Sequence, residues 1–248
     1  MAPPERRSTV KIARHTGAGR REIALIAVLV LAATGLVSLL VAGPFGGRTS
    51  GSAAPLAGTD EANAQQAPAR RIPGDPYAVG PTRAPVTLVM YADFGCVFCA
   101  KFSRETEPEL VKRYVDTGVL RMEWRDYPMF GDESTAAARA GRAAAAQGRF
   151  WEFSRAVYAA SPDRGHPELA RDRLVAFAEQ AAVPDMRRFQ AELDGTTHDL
   201  AIQEDLNEGV KYGVPSTPAF VINGHAMVGA QPLEAFTAMI DKAAGGPR

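Results

Sequence analysis

The order of strand-forming and helix-forming segments constrains the fold more than any other feature of this sequence. Pro85–Tyr91 is a short apolar run rich in β-branched residues, which is typical of a buried strand. Val97–Val115 follows with a helical pattern in which Pro108 predicts a bend or a break. Val119–Trp124 then predicts a second strand, so the folded part opens with a strand–helix–strand unit.

A long helical block interrupts the strands from Asp132 to Tyr212. Apolar residues recur there three and four positions apart, the spacing of one helix face. The predicted helices are Ser134–Gln147, Arg149–Ala160, Pro167–Ala182, Asp185–Leu193 and His198–Tyr212.

A second strand pair closes the folded part. Asn223-Gly224 separates the apolar runs Pro218–Ile222 and Ala226–Val228, and this dipeptide between such runs predicts a hairpin. A last helix is predicted over Leu233–Ala243. We therefore predict an α/β domain at residues 75–248, with one core and a helical insertion at residues 131–212.

The sequence before residue 75 divides into a basic tail, an uncharged span and a polar linker. The whole chain carries 28 basic and 28 acidic residues, but basic residues outnumber acidic ones six to two in 1–22. Residues 23–42 carry no charge, and as a helix they would be about 30 Å long, enough to cross a bilayer. We expect a transmembrane signal anchor there; a cleaved export signal and a buried core helix are the alternatives. Residues 43–74 are rich in Gly, Ala and Pro and predict a flexible linker.

The distribution of charge also predicts topology. Basic residues before a span favour a cytoplasmic N-terminus, so a single-pass protein with its folded domain outside the cytoplasm is expected. Acidic residues outnumber basic ones 24 to 19 in residues 75–248. Neither this balance nor the neutral total suits a nucleic-acid-binding protein.

Both cysteines of the chain lie in one motif, Cys96-Val97-Phe98-Cys99, between a predicted strand and a predicted helix. A helix N-terminus stabilises a thiolate through its unpaired N–H groups and its partial positive charge. We expect Cys96 to be exposed with a lowered pKa, and Cys99, one turn later, to point inward. Such a pair suits thiol–disulfide exchange, in which Cys96 forms the mixed disulfide and Cys99 resolves it.

Three other interpretations of the cysteines stay open. A zinc site would need further ligands, but the histidines of the chain show no paired ligand spacing. A structural disulfide is the second, although so short a loop removes little chain entropy. The third is a pair of inert buried thiols.

Two segments carry a family resemblance: YADFGCVFCAKF at residues 91–102 and GVPSTPAFVING at residues 213–224. Together they resemble the DsbA-like branch of the thioredoxin superfamily, in particular its membrane-anchored bacterial thiol:disulfide oxidoreductases. The resemblance implies a thioredoxin-like fold with Cys96 and Cys99 as the redox pair. It also implies that Pro218 is a cis-proline beside this pair, and that the backbone of Thr217 pairs with substrate like an added strand.

One position departs from thioredoxin itself. Thioredoxin has a buried acid six residues before the first cysteine, where it assists proton transfer, and here Met90 occupies that position. Asp93, three residues before Cys96, is the candidate substitute. The alternative is that Asp93 is a solvated turn residue that caps the helix.

The resemblance implies an activity and partners. We expect an exported, membrane-anchored oxidoreductase that oxidises thiols of reduced or unfolded exported proteins, without a cofactor or a metal. Its redox partner would be a DsbB-like or vitamin K epoxide reductase-like membrane protein. A reductase or isomerase that uses the same cysteines, and a non-catalytic anchored binding or chaperone module, are the alternatives.

Overall fold

The structure, a computed structural model, describes residues 68–245. The predicted basic tail, the span at 23–42 and the linker up to residue 67 lie outside the described residues, so their assignments stay predictions. Within 68–245, no helix is both long enough and apolar enough to cross a membrane.

The described chain contains five strands and eight α-helices in the predicted order. The strands are β1 Ala78–Val79, β2 Val86–Ala92, β3 Leu120–Asp126, β4 Ala219–Ile222 and β5 His225–Val228. The helices are α1 Val97–Glu105, α2 Glu107–Leu110, α3 Asp132–Ala145, α4 Phe150–Ala160, α5 Arg171–Gln180, α6 Met186–Asp194, α7 Asp199–Lys211 and α8 Leu233–Ala243; a π-helical turn, Val111–Val115, continues α2.

The five strands form one sheet in the order β1-β3-β2-β4-β5. β2 lies at its centre, with all seven residues buried. It pairs in parallel with β3 and antiparallel with β4, and β4 and β5 form the predicted hairpin. The α/β fold with a helical insertion is confirmed, because α3 to α7 all lie between β3 and β4.

The predicted break at Pro108 is also confirmed. α1 ends at Glu105, and Pro108 lies in the first turn of α2, where its missing N–H is tolerated. β1 was not predicted, because two residues are too few to show a period. It pairs antiparallel with β3 at the edge of the sheet.

The two faces of β3 differ in chemistry. Its apolar residues Leu120, Met122 and Trp124 belong to the main hydrophobic core. Arg121 and Glu123 alternate with them, yet the whole strand is buried. Alternation of this kind normally predicts one solvated face, so other parts of the chain must cover the charged side of β3.

Residues 68–74 supply part of that cover. The backbone N–H groups of Arg70 and Arg71 donate to the two carboxylate oxygens of Glu123, at 2.9 and 2.8 Å. Arg125 donates to the carbonyl oxygen of Pro68 at 2.8 Å. The predicted boundary at residue 75 is therefore too late, because these hydrogen bonds hold the last residues of the predicted linker against the domain.

Candidate active site

The sheet topology brings the two resemblance segments together. The cysteine motif follows the C-terminal end of β2, and residue 218 directly precedes β4. Tyr91 at the end of β2 pairs with Ala219 at the start of β4, so the loop before β4 lies beside the start of α1. The Thr217–Pro218 peptide bond is cis, as the resemblance implied.

Cys96 is the N-cap residue of α1. Its backbone is extended, and its Sγ accepts a hydrogen bond from the Cys99 N–H at 3.3 Å. The thiol of Cys96 donates to the carbonyl oxygen of Thr217 at 3.2 Å. The sulfur therefore lies between the first turn of α1 and the cis-proline loop, and both cysteines are free thiols.

The two thiols have pKa values shifted in opposite directions. The hydrogen bond from the Cys99 side chain, assisted by Thr217 and by N–H groups at the start of α1, lowers the pKa of Cys96 to about 6, although burial opposes the shift. Burial raises the pKa of Cys99 well above its ordinary value, and hydrogen bonding to Cys96 adds to the shift. At neutral pH the negative charge of the reduced pair therefore resides on Cys96.

The expectation that Cys96 is exposed was wrong. The residue is only 3% exposed, and Cys99 is 1% exposed. Sequence reasoning placed Cys96 in the first turn but could not foresee that the cis-proline loop, whose Thr217 carbonyl bonds the sulfur, covers it. Phe98 is 61% exposed.

Asp93 is buried, so its interpretation as a solvated helix cap was wrong. It is 2% exposed, and its carboxylate accepts hydrogen bonds from the N–H groups of Gly95 at 2.7 Å and Met129 at 2.6 Å. Burial raises the pKa of Asp93, while these hydrogen bonds oppose the shift. The Asp93 backbone lowers the pKa of Cys99, and the negative charge of the Asp93 carboxylate raises it. The carboxylate therefore lies close to the redox pair and holds the loop after β3 against it.

Tyr158 is a residue of this site that the sequence analysis did not identify. It lies on α4 in the helical insertion, it is 1% exposed, and its hydroxyl donates to the Asp93 carbonyl at 3.1 Å. The same carbonyl accepts from the Cys96 N–H at 3.0 Å. No sequence signal separates Tyr158 from an ordinary core aromatic residue, because its role depends on packing between distant elements.

An apolar groove of about 630 Å³ lies over the cysteine motif. Phe98, Met129 and Phe130 form one part of its lining and are each about half exposed or more. Thr217 and Ala230 form another part. The groove gives Cys96 an approach route whose lining is mostly apolar, with His166 at one side of it, which suits an extended polypeptide with apolar residues.

The geometry limits other chemistry. Within residues 68–245, no group of three or more His, Cys, Asp or Glu side chains is arranged to hold a metal ion. Cys96 and Cys99 are in hydrogen-bond contact, an arrangement suited to reversible disulfide chemistry rather than to separate inert thiols. The structure brings Cys96, Cys99, Asp93, Thr217 and Pro218 into one site.

The fold and the site together define a thioredoxin-like domain with a paired-cysteine centre. The thioredoxin family model matches residues 73–242. The chain belongs to the thioredoxin family, and its resemblance to the DsbA-like branch is confirmed.

Known structures and sequences agree with this assignment. The structure of oxidised BdbD from Bacillus subtilis superposes with a TM-score of 0.65 at 22% identity, covering 68% of this chain and 93% of that one. "Probable disulfide bond formation protein D" of Bacillus cereus is 25% identical over 60% of this chain and 70% of its own length.

A longer relative also matches. The protein named Na(+)/H(+) antiporter NhaA 1 of Salinispora arenicola is 32% identical over 71% of this chain, but the match spans only 26% of that protein. The chain thus corresponds to about a quarter of the length of such relatives.

Proposed function

We propose that the protein is an exported thiol:disulfide oxidoreductase that oxidises thiols of other exported proteins through Cys96 and Cys99. The observation that carries the proposal is the opposite shift in the pKa values of two thiols in hydrogen-bond contact. Structural disulfides and inert thiols have no need of such a difference. It is the property that makes one sulfur a good leaving group and the other a resolving thiol.

The reaction begins with the Cys96–Cys99 disulfide. A substrate thiolate attacks the Cys96 sulfur, the intramolecular S–S bond breaks, and Cys99 leaves with the electron pair and takes up a proton. A second substrate thiolate then attacks the substrate sulfur of the mixed disulfide and releases Cys96 as a thiolate. Counted from its two thiols, the substrate loses two electrons and two protons to form its disulfide. The cysteine pair gains both electrons and one proton, on Cys99, and the other proton goes to solvent.

The lowered pKa of Cys96 supports the oxidising direction of the exchange. Hydrogen bonds that lower the pKa of Cys96 stabilise the reduced pair, and a stabilised reduced form makes the disulfide a stronger oxidant. The groove over Cys96 supports polypeptide substrates, since Phe98, Met129 and Phe130 in its lining are exposed apolar side chains. The loop before cis-Pro218 offers the backbone of Thr217 for pairing with an extended chain.

The proposed cellular setting rests on the N-terminal sequence. The uncharged residues 23–42 anchor the protein, the basic residues of 1–22 stay in the cytoplasm, and the domain acts outside it. A DsbB-like or vitamin K epoxide reductase-like membrane protein reoxidises the pair. The domain itself carries out the exchange with its two sulfurs and needs no cofactor.

Oxidation of a reduced, unfolded secreted protein tests the activity. The oxidised protein should form one substrate disulfide per Cys96–Cys99 pair consumed. Mixed with the disulfide form of the same substrate, the Cys99→Ser variant should accumulate a mixed disulfide, because its Cys96 thiolate attacks the substrate disulfide and one substrate sulfur leaves as a thiolate. A Cys96→Ser variant that still performs the cellular role would instead identify a non-catalytic binding module.

Labelling of whole cells tests the topology. A thiol reagent that cannot cross membranes should modify reduced Cys96 in intact cells, and lysis should not increase the labelled fraction. Labelling only after lysis, with the same reagent reaching a known extracytoplasmic thiol in intact cells, would contradict the proposed orientation.

A further inference from the structure

We infer that Tyr127 is a positioning residue that sets the cis-proline loop, and through it the backbone of Thr217, for substrate pairing. The inference rests on the proposed function and adds a residue to it. Tyr127 follows β3 directly and is 5% exposed. Its hydroxyl donates to the carbonyl oxygen of Val214 at 3.0 Å, three residues before Thr217.

Tyr127 also contacts the strand that leads to the cysteine motif. The Tyr127 N–H donates to the carbonyl oxygen of Ala92 at the end of β2, at 2.9 Å. One residue therefore links the strand that leads to Cys96 with the loop that leads to Pro218. These two segments are far apart along the chain, because the whole helical insertion lies between them. Their spacing therefore depends on noncovalent contacts such as the hydrogen bonds of Tyr127.

The Tyr127 ring is held in place by the residues packed around it. It packs edge-on against Tyr91, with ring centroids 6.1 Å apart. On another side lies Gly209 of α7, where a β-carbon would overlap the ring. Gly209 also accepts a hydrogen bond from the Val214 N–H at 3.0 Å. The tyrosine thus fixes the point at which α7 ends and the loop toward Thr217 begins.

The position of that loop matters more for a polypeptide than for a small thiol. An extended substrate pairs with the backbone beside Pro218, so a displaced loop weakens its binding. A small dithiol such as dithiothreitol needs access only to the Cys96 sulfur. The hydroxyl of Tyr127 is therefore expected to affect the KM for a peptide and to leave reduction by dithiothreitol unchanged.

The Tyr127→Phe variant of the full chain tests this, with the Tyr114→Phe variant as its control. Tyr114 also donates one side-chain hydrogen bond, to Asp241 at 2.8 Å, but on the exposed surface. For oxidation of a reduced dicysteine peptide, with oxidised glutathione present to regenerate the Cys96–Cys99 disulfide, Tyr127→Phe should raise the peptide KM at least threefold. Its kcat and its reduction by dithiothreitol should stay within twofold of the unmodified protein, and Tyr114→Phe should change none of the three.

Other outcomes overturn the inference. An unchanged peptide KM in folded Tyr127→Phe, judged by circular dichroism, assigns Tyr127 a purely structural role. Equal losses with the peptide and with dithiothreitol place its effect on Cys96 rather than on the loop. Failure of the unmodified protein to oxidise the peptide would overturn the proposed function instead, so the two failures are distinguishable.

Discussion

The redox site and the charged side of β3 both bury ionisable groups, but they stabilise them in opposite ways. At the redox site the buried groups are held by N–H and thiol donors, and the two thiols keep very different pKa values. Behind β3 the fully buried Glu123 carboxylate bonds Arg121 at 2.8 Å and Arg125 at 2.9 Å. The first arrangement leaves a reactive charge, and the second neutralises every charge with a partner.

The two regions therefore have different roles: the ionic network stabilises the domain, and the redox site carries the reactive thiolate. Arg125 also bonds Glu208 of α7, and Arg70 bonds both Glu208 and Asp205. This ionic network joins β3, α7 and residues 68–74, so it fixes the domain to the segment that leads toward the predicted membrane span. Loss of the network should therefore cost stability, whereas loss of the redox groups should cost activity.

Removal of the reactive sulfur should have the largest effect. Cys96→Ser should reduce substrate oxidation to the level of buffer alone, because the remaining Cys99 is 1% exposed and has no second sulfur with which to form the oxidising disulfide. Its unfolding free energy should stay close to that of the reduced protein, as measured with urea. Substantial residual oxidation by the variant would contradict the assignment of Cys96.

Removal of the central charge of the network should give the reverse result. Glu123→Gln leaves the buried guanidinium of Arg121 without a carboxylate and removes one of the two carboxylates that bond Arg125, so it should lower the unfolding free energy by about 3–5 kcal/mol. The exposed Glu109, which pairs with Arg113, provides the control: Glu109→Gln should cost about 0.5 kcal/mol or less. The rate at which dithiothreitol reduces the Cys96–Cys99 disulfide should be unchanged in folded Glu123→Gln. A large change in this rate would contradict the separation of the ionic network from the redox site.

The network should also make stability sensitive to acid. Burial by itself disfavours the Glu123 carboxylate, but hydrogen bonds from Arg121, Arg125 and the backbone of Arg70 lower its pKa to about 2, from an ordinary 4.5. The stabilisation is complete above the unfolded value and is lost as pH falls from 4.5 toward about 2. Urea unfolding across this interval should show the loss in the native protein and a smaller one in Glu123→Gln.

The reactivity of Cys96 should change with pH in a higher pH range than the stability contributed by Glu123. The alkylation rate of reduced Cys96 should rise through a midpoint of about pH 6 and level off above it. Between pH 6 and 9 the thiolate should stabilise the reduced protein increasingly as pH rises. Cys99→Ala removes the hydrogen bond that lowers the pKa most, so the midpoint should move toward 9; an unmoved midpoint would leave the helix terminus as the cause.

Asp93 should have the smallest effect of these groups. We expect the Asp93 carboxyl group to exchange a proton with Cys99, which takes up a proton when the mixed disulfide forms and loses it in the reverse step, so Asp93→Asn should slow both steps by about 10². Stopped-flow release from a preformed mixed disulfide measures the reverse step, with the exposed Asp116→Asn as control. An unchanged rate would restrict Asp93 to holding Met129 and the loop after β3.

The sequence predicted the elements well because each carries a local signal. The β-branched run at Pro85–Tyr91, the Asn223-Gly224 turn and Pro108 each act within a few residues. The redox pair was equally easy to predict from the sequence, since both cysteines lie in one motif at a strand–helix junction.

Features that depend on tertiary packing were missed. The alternation in β3 gave no sign that Glu123 is buried, because its cover comes from residues 68–74 and α7, which are distant in sequence. The burial of Cys96 and the roles of Tyr127 and Tyr158 likewise arise where loops and helices from separate parts of the chain meet.

The equilibrium redox potential of the Cys96–Cys99 pair, measured against glutathione, tests the central claim most directly. A Cys96 pKa lowered to about 6 predicts a potential above that of thioredoxin, between about −270 mV and about −120 mV, the value of a strong dithiol oxidant. A potential near about −270 mV, that of a thioredoxin-like reductant, would contradict it.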